Sequence, residues 1–378
     1  MVLGSITLLL AACGSAAAPS APSNPPASSA AAKPASAAAS ASAKPAASTP
    51  ASAKPAASGA ASAKPAASGS AAAKPASSGA AGKPTLNIAY GTNSSATFSP
   101  LWLADAAHSF DNHNVNVKLN YVLSAQSTPA LLSKEVDVVA VSANAVLTAD
   151  LTGQIDEVYI ASIFNSNTAV LFTKPSIKTP ADLKGKIVGS DKAGTPTDFF
   201  VSLMLSKMGL KTTDVQLLRS GGSDVTTPAL ISGQIDAAAA TPPITFMMQA
   251  QGFNQVADTY GDPYLAQGYV VLRSRLPELA PALSGFLLGI RDGIHIFNDQ
   301  PDFTKKVLTD YTKESDPNVI QQTYDFYKDP KHAFDDSLLV KDNTLQSMLD
   351  YLAESTNPKA KDAKPQQFYD MSIVNSLK

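Results

Sequence analysis

The chain has 378 residues, and residues 14–84 are nearly all Ala, Ser, Pro, Gly and Lys. That stretch holds six of the 29 basic residues and none of the 31 acidic ones, leaving the rest at about −8, which excludes the clustered cations of a nucleic-acid-binding face. One cysteine, Cys13, excludes a disulfide framework, a thiolate zinc site and a CxxC redox centre.

Val2 to Leu10 is apolar apart from Gly4, Ser5 and Thr7, and it runs into Leu10-Ala11-Ala12-Cys13-Gly14. A bilayer span needs about 20 apolar residues, so this run reads as a signal peptide. It resembles the lipobox of bacterial lipoproteins, whose Cys is lipidated and becomes the first mature residue. Residues 1–13 are expected to be that leader, with Cys13 the lipidation site and a lipid anchor the link to the membrane. No Lys or Arg precedes Val2, so the usual charged start is missing, and the expectation is an upstream start or a truncated leader.

Ala-Lys-Pro then recurs at Ala43, Ala53, Ala63 and Ala73. Without aromatic residues, and with almost no branched apolar ones, the segment 14–84 has nothing to offset the entropy of folding. A Pro in each repeat interrupts the helix that Ala would favour. The expectation is an extended, disordered tether.

From Leu86 the pattern alternates. Leu86–Tyr90 reads as a strand, Pro100–Phe110 as a helix, Val115–Leu123 as a strand, Ser127–Ser133 as a short helix and Val136–Val141 as a buried strand. This order predicts an α/β protein with a mainly parallel sheet covered by helices. Further on, Pro180 to Gly185 reads as a short helix, Gly194 to Met208 as a helix opened by Thr195 or Thr197, and Leu276 to Phe297 as a long helix.

The strongest signal is internal. TPALLSKEVDVVAVSAN (128–144) and TPALISGQIDAAAATPP (227–243) agree without gaps at Thr, Pro, Ala, Leu, Ser, Asp and Ala. Each copy is a helix, a turn with an Asp, a small-residue strand and a hydroxyl residue opening another helix. The spacing is too long for a solenoid and fits one unit used once in each of two lobes. Ser142 and Thr241 then stand at equivalent places, at the carboxyl end of a strand and the start of a helix. Ligands of open α/β sheets bind outside those strand ends, where helix N-termini offer free N–H groups. The simpler reading is that both are N-caps.

Ile88–Phe110, Ala130–Gly153, Thr179–Ser190 and Gly221–Pro243 resemble the substrate-binding proteins of nitrate/sulfonate/taurine-type ABC importers, including binders of thiamine-pyrimidine precursors. Asp316–Tyr327 is similar to their C-terminal helical part. One departure is Lys134, where the family's turn usually carries Gly; Gly233 keeps the pattern in the second copy. The resemblance implies a periplasmic-binding-protein fold of type II, with two α/β lobes joined by two crossing strands around a ligand cleft. Lobe one would comprise 85–173 and 268–378, and lobe two 174–267. Val170–Ile177 and Gln267–Ser274 would be the crossings. The implied function is an extracytoplasmic solute-binding lipoprotein at the cell membrane. It would be a monomer that closes on a small molecule and delivers it to the membrane subunits of an ABC permease.

Resemblance and strand-end logic select the same ligand-binding loops: Asn93, Ser94, Ser95, Thr97 and Phe98; Ser124; Ser142 and Asn144; Thr195 and Thr197; Ser223; and Thr241. Hydroxyls, amides and backbone N–H groups suit an uncharged or singly anionic polar group. Arg219 would welcome an oxyanion, whereas Asp198 at a helix start would not. Trp102 reads as core, while Phe164 and Tyr264 are open between core and cleft. No HExxH, GxSxG, GxGxxG or Walker A motif occurs from Thr85 onward, and His108, His113, His295 and His332 lie far apart, so no enzyme, metal or cofactor is expected. The related fungal pyrimidine-precursor synthase would demand a cysteine-rich motif that is missing. A lipid-anchored sensor presenting its closed form to a receptor fits the same residues; a surface adhesin fits them less well.

Overall fold

The computed structural model describes residues 82–377 except 154–155, so the predicted leader, Cys13 and nearly all of the tether lie outside the described residues. The chain opens β1 (Thr85–Tyr90), α1 (Ser99–Ala106), α2 (Ser109–Asn112), β2 (Asn116–Tyr121), α3 (Ser124–Leu132), β3 (Val138–Val141), α4 (Ala143–Asp150) and β4 (Glu157–Ser166). It then forms β5 (Val170–Thr173), β6 (Ile187–Ser190), α5 (Pro196–Lys207), β7 (Gln216–Arg219), α6 (Ser223–Ile231), β8 (Ala237–Ala240), α7 (Ile244–Ala250) and β9 (Asn254–Asp258). Strand β10 (Pro263–Leu272) leads into α8 (Leu276–Asp299), α9 (Pro301–Thr312), α10 (Pro317–Lys328), α11 (Asp342–Ser355) and α12 (Ser372–Ser376).

Two five-stranded sheets result, ordered β2-β1-β3-β10-β4 and β7-β6-β8-β5-β9. The orders match position for position, with β10 and β5 each running antiparallel to both of their neighbours. The repeat is therefore a repeat of structure. Ile88 pairs with Val138 and Val188 with Ala237, the same register in each half. The repeated Asp does the same job twice. Asp137 accepts the Asn87 N–H at 2.8 Å and pairs with Arg275 at 2.7 Å, while Asp236 accepts the Ile187 N–H at 2.9 Å and pairs with Lys174 at 2.7 Å. Each carboxylate ties a central strand to its neighbour and is held by one cation. Strands β3 (VVAV) and β8 (AAAA) are buried at every residue, as central strands covered on both faces must be.

Lys134 and Gly233 occupy the same left-handed turn, at φ 61° and 78°. Lys is accommodated there with the steric penalty of its Cβ. The predicted helix over Pro100–Phe110 breaks in two, because His108 also enters the left-handed region, at φ 56°. Helix α8 lies directly on α1: a Cβ added at Gly293 would stand 2.0 Å from the Pro100 carbonyl oxygen, so only Gly permits that approach. Trp102 is fully buried, stacked between Phe98 and Tyr311 in the core of the first lobe.

The chain changes sheet a few residues from the boundaries expected at 173/174 and 267/268. Val170–Thr173 already pairs in the second sheet, and Pro263–Leu272 pairs throughout in the first. The crossings are instead Asn167–Ala169 and Thr259–Asp262. They lie side by side, with Asn167 N–H on the Asp262 carbonyl at 3.0 Å, Thr259 N–H on the Ala169 carbonyl at 2.9 Å and the Thr259 hydroxyl accepting from Ala169 N–H at 3.0 Å. Apolar runs such as VLFT satisfy either sheet equally, so sequence alone could not choose between them.

Candidate functional site

The carboxyl ends of the central strands of the two sheets meet across the gap between the lobes. After β1, Ser95 pairs with Pro243 after β8 in an antiparallel bridge, and Ala96 N–H donates to the Pro242 carbonyl at 3.2 Å. After β3, Asn144 reaches the loop after β6: its Nδ2 donates to the Gly194 carbonyl at 2.9 Å, and its Oδ1 accepts from the Tyr264 hydroxyl at 2.5 Å. Both ends of that buried amide are used, one on each lobe, which fixes its orientation.

Apolar packing reinforces this contact. Phe199 on α5 is buried among residues of the first lobe, stacked on Tyr264 at 5.3 Å and edge-on to Tyr351 of α11 at 5.0 Å. Beside it, Asp198, 2% exposed, accepts from the Tyr351 hydroxyl, the Arg219 guanidinium and the Gly194 N–H. Burial, and then the Asp198 carboxylate, push the Tyr351 phenol up to about 12, so it stays a donor at neutral pH. Arg219 thus serves, through Nη1, a carboxylate of its own lobe and the Asp191 carbonyl at 3.0 Å, while its side chain stays 40% exposed.

The other predicted residues separate by what they touch. Ser142 holds the N-cap position of α4, but its hydroxyl makes no capping bond; its carbonyl accepts from Tyr159 at 2.7 Å. Thr241 is no cap at all, since α7 starts at Ile244 behind Pro243. Thr195 does cap α5, accepting from Asp198 N–H and donating to the Lys192 carbonyl at 2.8 Å. Thr97, buried, shares a hydrogen bond of 3.0 Å with Ser95, and Ser94 one of 2.7 Å with Thr92. Asn93 keeps a buried side-chain oxygen without a partner among the described residues. Thr197 stands beside Gly222, next to Ser223 at the first position of α6. Ser124 opens α3. Phe98 instead belongs to the first lobe's core, against Trp102 and Tyr90, which removes it as a cleft wall; Phe164 is likewise core, against Tyr327 and Phe334.

A groove of about 500 Å³ opens beside the Ser95–Pro243 bridge. Ser94 and the turn Thr312–Glu314 between α9 and α10 come from the first lobe. Ser223 and the apolar faces of α6 and α7, with Ile231, Ile244 and Met247, come from the second. A volume of this order suits a small organic molecule. Sequence reasoning found Ser94 and Ser223 but missed the rest. Nothing in Thr312–Glu314 marks it, and the α6 and α7 positions read as ordinary helix faces.

A family model described as NMT1/THI5 like matches residues 95–303. A Haemophilus influenzae protein provisionally assigned to thiamine biosynthesis is 31% identical over 130 residues, covering 34% of this chain and 40% of its own. The chain spans less than half the length of the curated relatives it matches first. Among solved structures, the alkanesulfonate-binding protein SsuA of Xanthomonas axonopodis pv. citri, bound to MOPS, is similar at a TM-score of 0.62 and 18% identity, covering 78% of this chain and 98% of its own. The periplasmic aliphatic sulphonate binding protein SsuA of Escherichia coli gives 0.62 and 20%, covering 75% and 91%. At these identities the likeness carries the fold, that of the periplasmic binding proteins, and leaves the ligand open.

Proposed function

The chain belongs to the NMT1/THI5-like family, and from that premise we propose that it is a solute-binding protein of the ABC-importer type, capturing a small molecule between its lobes. One observation carries the reading: equivalent loops of an internal repeat, Ser142–Asn144 and Thr241–Pro243, border the same interlobe gap, and a groove lined by both lobes opens beside it. The loops supply hydroxyls and amides, the groove adds Asp224, Lys313 and Glu314, and Asp198 is already paired with Arg219. Among the described residues that border the gap, no His or Cys stands as nucleophile or base, which supports binding over catalysis.

The finer reading follows the sequence. Cys13 would carry lipid, residues 14–84 would tether the lobes to the outer side of a membrane, and a monomer would hand its ligand to a permease. The paired crossings Asn167–Ala169 and Thr259–Asp262 would be the hinge. Opening would uncover Phe199 and separate Asn144 from Gly194, so ligand exchange has to overcome that interface.

A thermal-shift screen of the full chain against sulfonates, nitrate, taurine, thiamine precursors and aromatic acids tests the proposal. A ligand at 100 times its Kd stabilises by about 2.7 kcal/mol, roughly 5 °C for a protein of this size. Silence from every compound, on protein shown to be folded and ligand-free, counts against the reading.

A further inference from the structure

The charges around the groove narrow what the site can take. Its walls are largely apolar, Ile231 being 43% exposed there beside Ile244 and Met247, and Ser94 and Ser223 also line it. Its ionic groups are Asp224, Glu314 and Lys313. Lys313 turns its ammonium back onto the Asp310 carbonyl at 2.6 Å, and Arg219, the cation at the end of β7, is held by Asp198. Arg219 is not among the residues that line the groove, and its charge is balanced by Asp198. The N-terminus of α6 could itself attract an anion, but Asp224 already occupies its first turn. The excess of acidic residues from Thr85 onward adds a long-range field of the same sign.

We infer that the site selects an amphipathic molecule with an apolar body and a neutral or singly cationic polar end, and discriminates against oxyanions; this rests on the solute-binding reading above. Thr227 adds a second sign of an unfilled polar role. It lines the groove, is 3% exposed, and its hydroxyl has no partner among the described residues. A ligand's hydroxyl or amine settling between Ser94 and Ser223 would bring hydrogen-bonding capacity to that wall.

The test uses three probes of one shape: 2-phenylethanol, 2-phenylethylamine and 2-phenylethanesulfonate, titrated into the full chain by ligand-observed NMR. The alcohol and the amine should bind at least tenfold more tightly than the sulfonate. In the double variant Asp224→Asn, Glu314→Gln the amine should lose at least threefold while the alcohol is unchanged, a split that mere loss of structure would not produce. Equal or tighter binding of the sulfonate overturns the inference, as does binding of none of the three at millimolar concentration. If the sulfonate wins and Ser223→Trp abolishes its binding, the solute-binding reading stands while the charge selectivity falls. If no compound of the wider screen binds either, both fall.

Discussion

Glu157 opens β4 and is 2% exposed, with no cation paired to it among the described residues. It stands beside a small apolar void bordered by Val139, Val141, Ala145 and Val270. Its own N–H donates to Asp150 at 3.2 Å. Burial raises its carboxyl from 4.5 to about 7; a hydrogen bond from Thr128 opposes that rise, and the nearby Asp150 adds to it. The folded state therefore keeps a proton that the unfolded chain releases between these values, and stability falls as pH rises through that window. At about 1.4 kcal/mol per pH unit, the loss by pH 8 is on the order of 3 kcal/mol. Glu157→Gln keeps the shape and removes the charge. Urea unfolding of both proteins from pH 4 to pH 8 should give nearly equal stabilities at the acid end, with the amide variant ahead by about 3 kcal/mol at pH 8. Asp150, raised to about 6 chiefly by burial, with Asp156 as its charged neighbour, contributes to both curves and largely cancels in the difference. Parallel curves would refute the reasoning.

Three other substitutions follow from the packing. Gly293→Ala drives a methyl into the Pro100 carbonyl and should destabilise by about 2–3 kcal/mol; an unchanged Tm would mean that α8 does not lie where described. Lys134→Gly relieves a left-handed Cβ clash at some entropic cost and should stabilise by about 0.5–1 kcal/mol in thermal melts, a decrease contradicting the repeat's turn equivalence. Phe199→Ala removes the aromatic plug between the lobes. It should cost about 3–4 kcal/mol and enlarge the radius of gyration of the ligand-free protein in small-angle scattering; no enlargement would show that the lobes are held otherwise.

The two-lobed architecture was legible because its signals are local. Strand runs such as VDVVAV, Asp turns and hydroxyls at strand ends recur in two copies, and the copies adopt one register. What escaped the sequence depends on pairing between distant residues. Arg219 looks like an anion receptor until Asp198 folds against it, and Tyr351 joins that carboxylate from α11. The sheet boundaries drifted because β5 and β10 are apolar enough to sit at the centre of either sheet. Phe98 stands in a loop rich in polar residues, yet its ring completes the stack on Trp102. The groove was invisible for the same reason: its outer wall comes from a turn more than 200 residues after Ser94.

The most direct test of an interlobe ligand site is the affinity of the tightest compound from the screen for the full chain and for its Ser223→Trp variant, by calorimetry. Ser223 lines the groove, so an indole there should fill it and weaken binding at least 100-fold, while the empty variant melts within about 2 °C of the parent. Undiminished affinity in a folded Ser223→Trp protein would put the ligand elsewhere and contradict the proposed site.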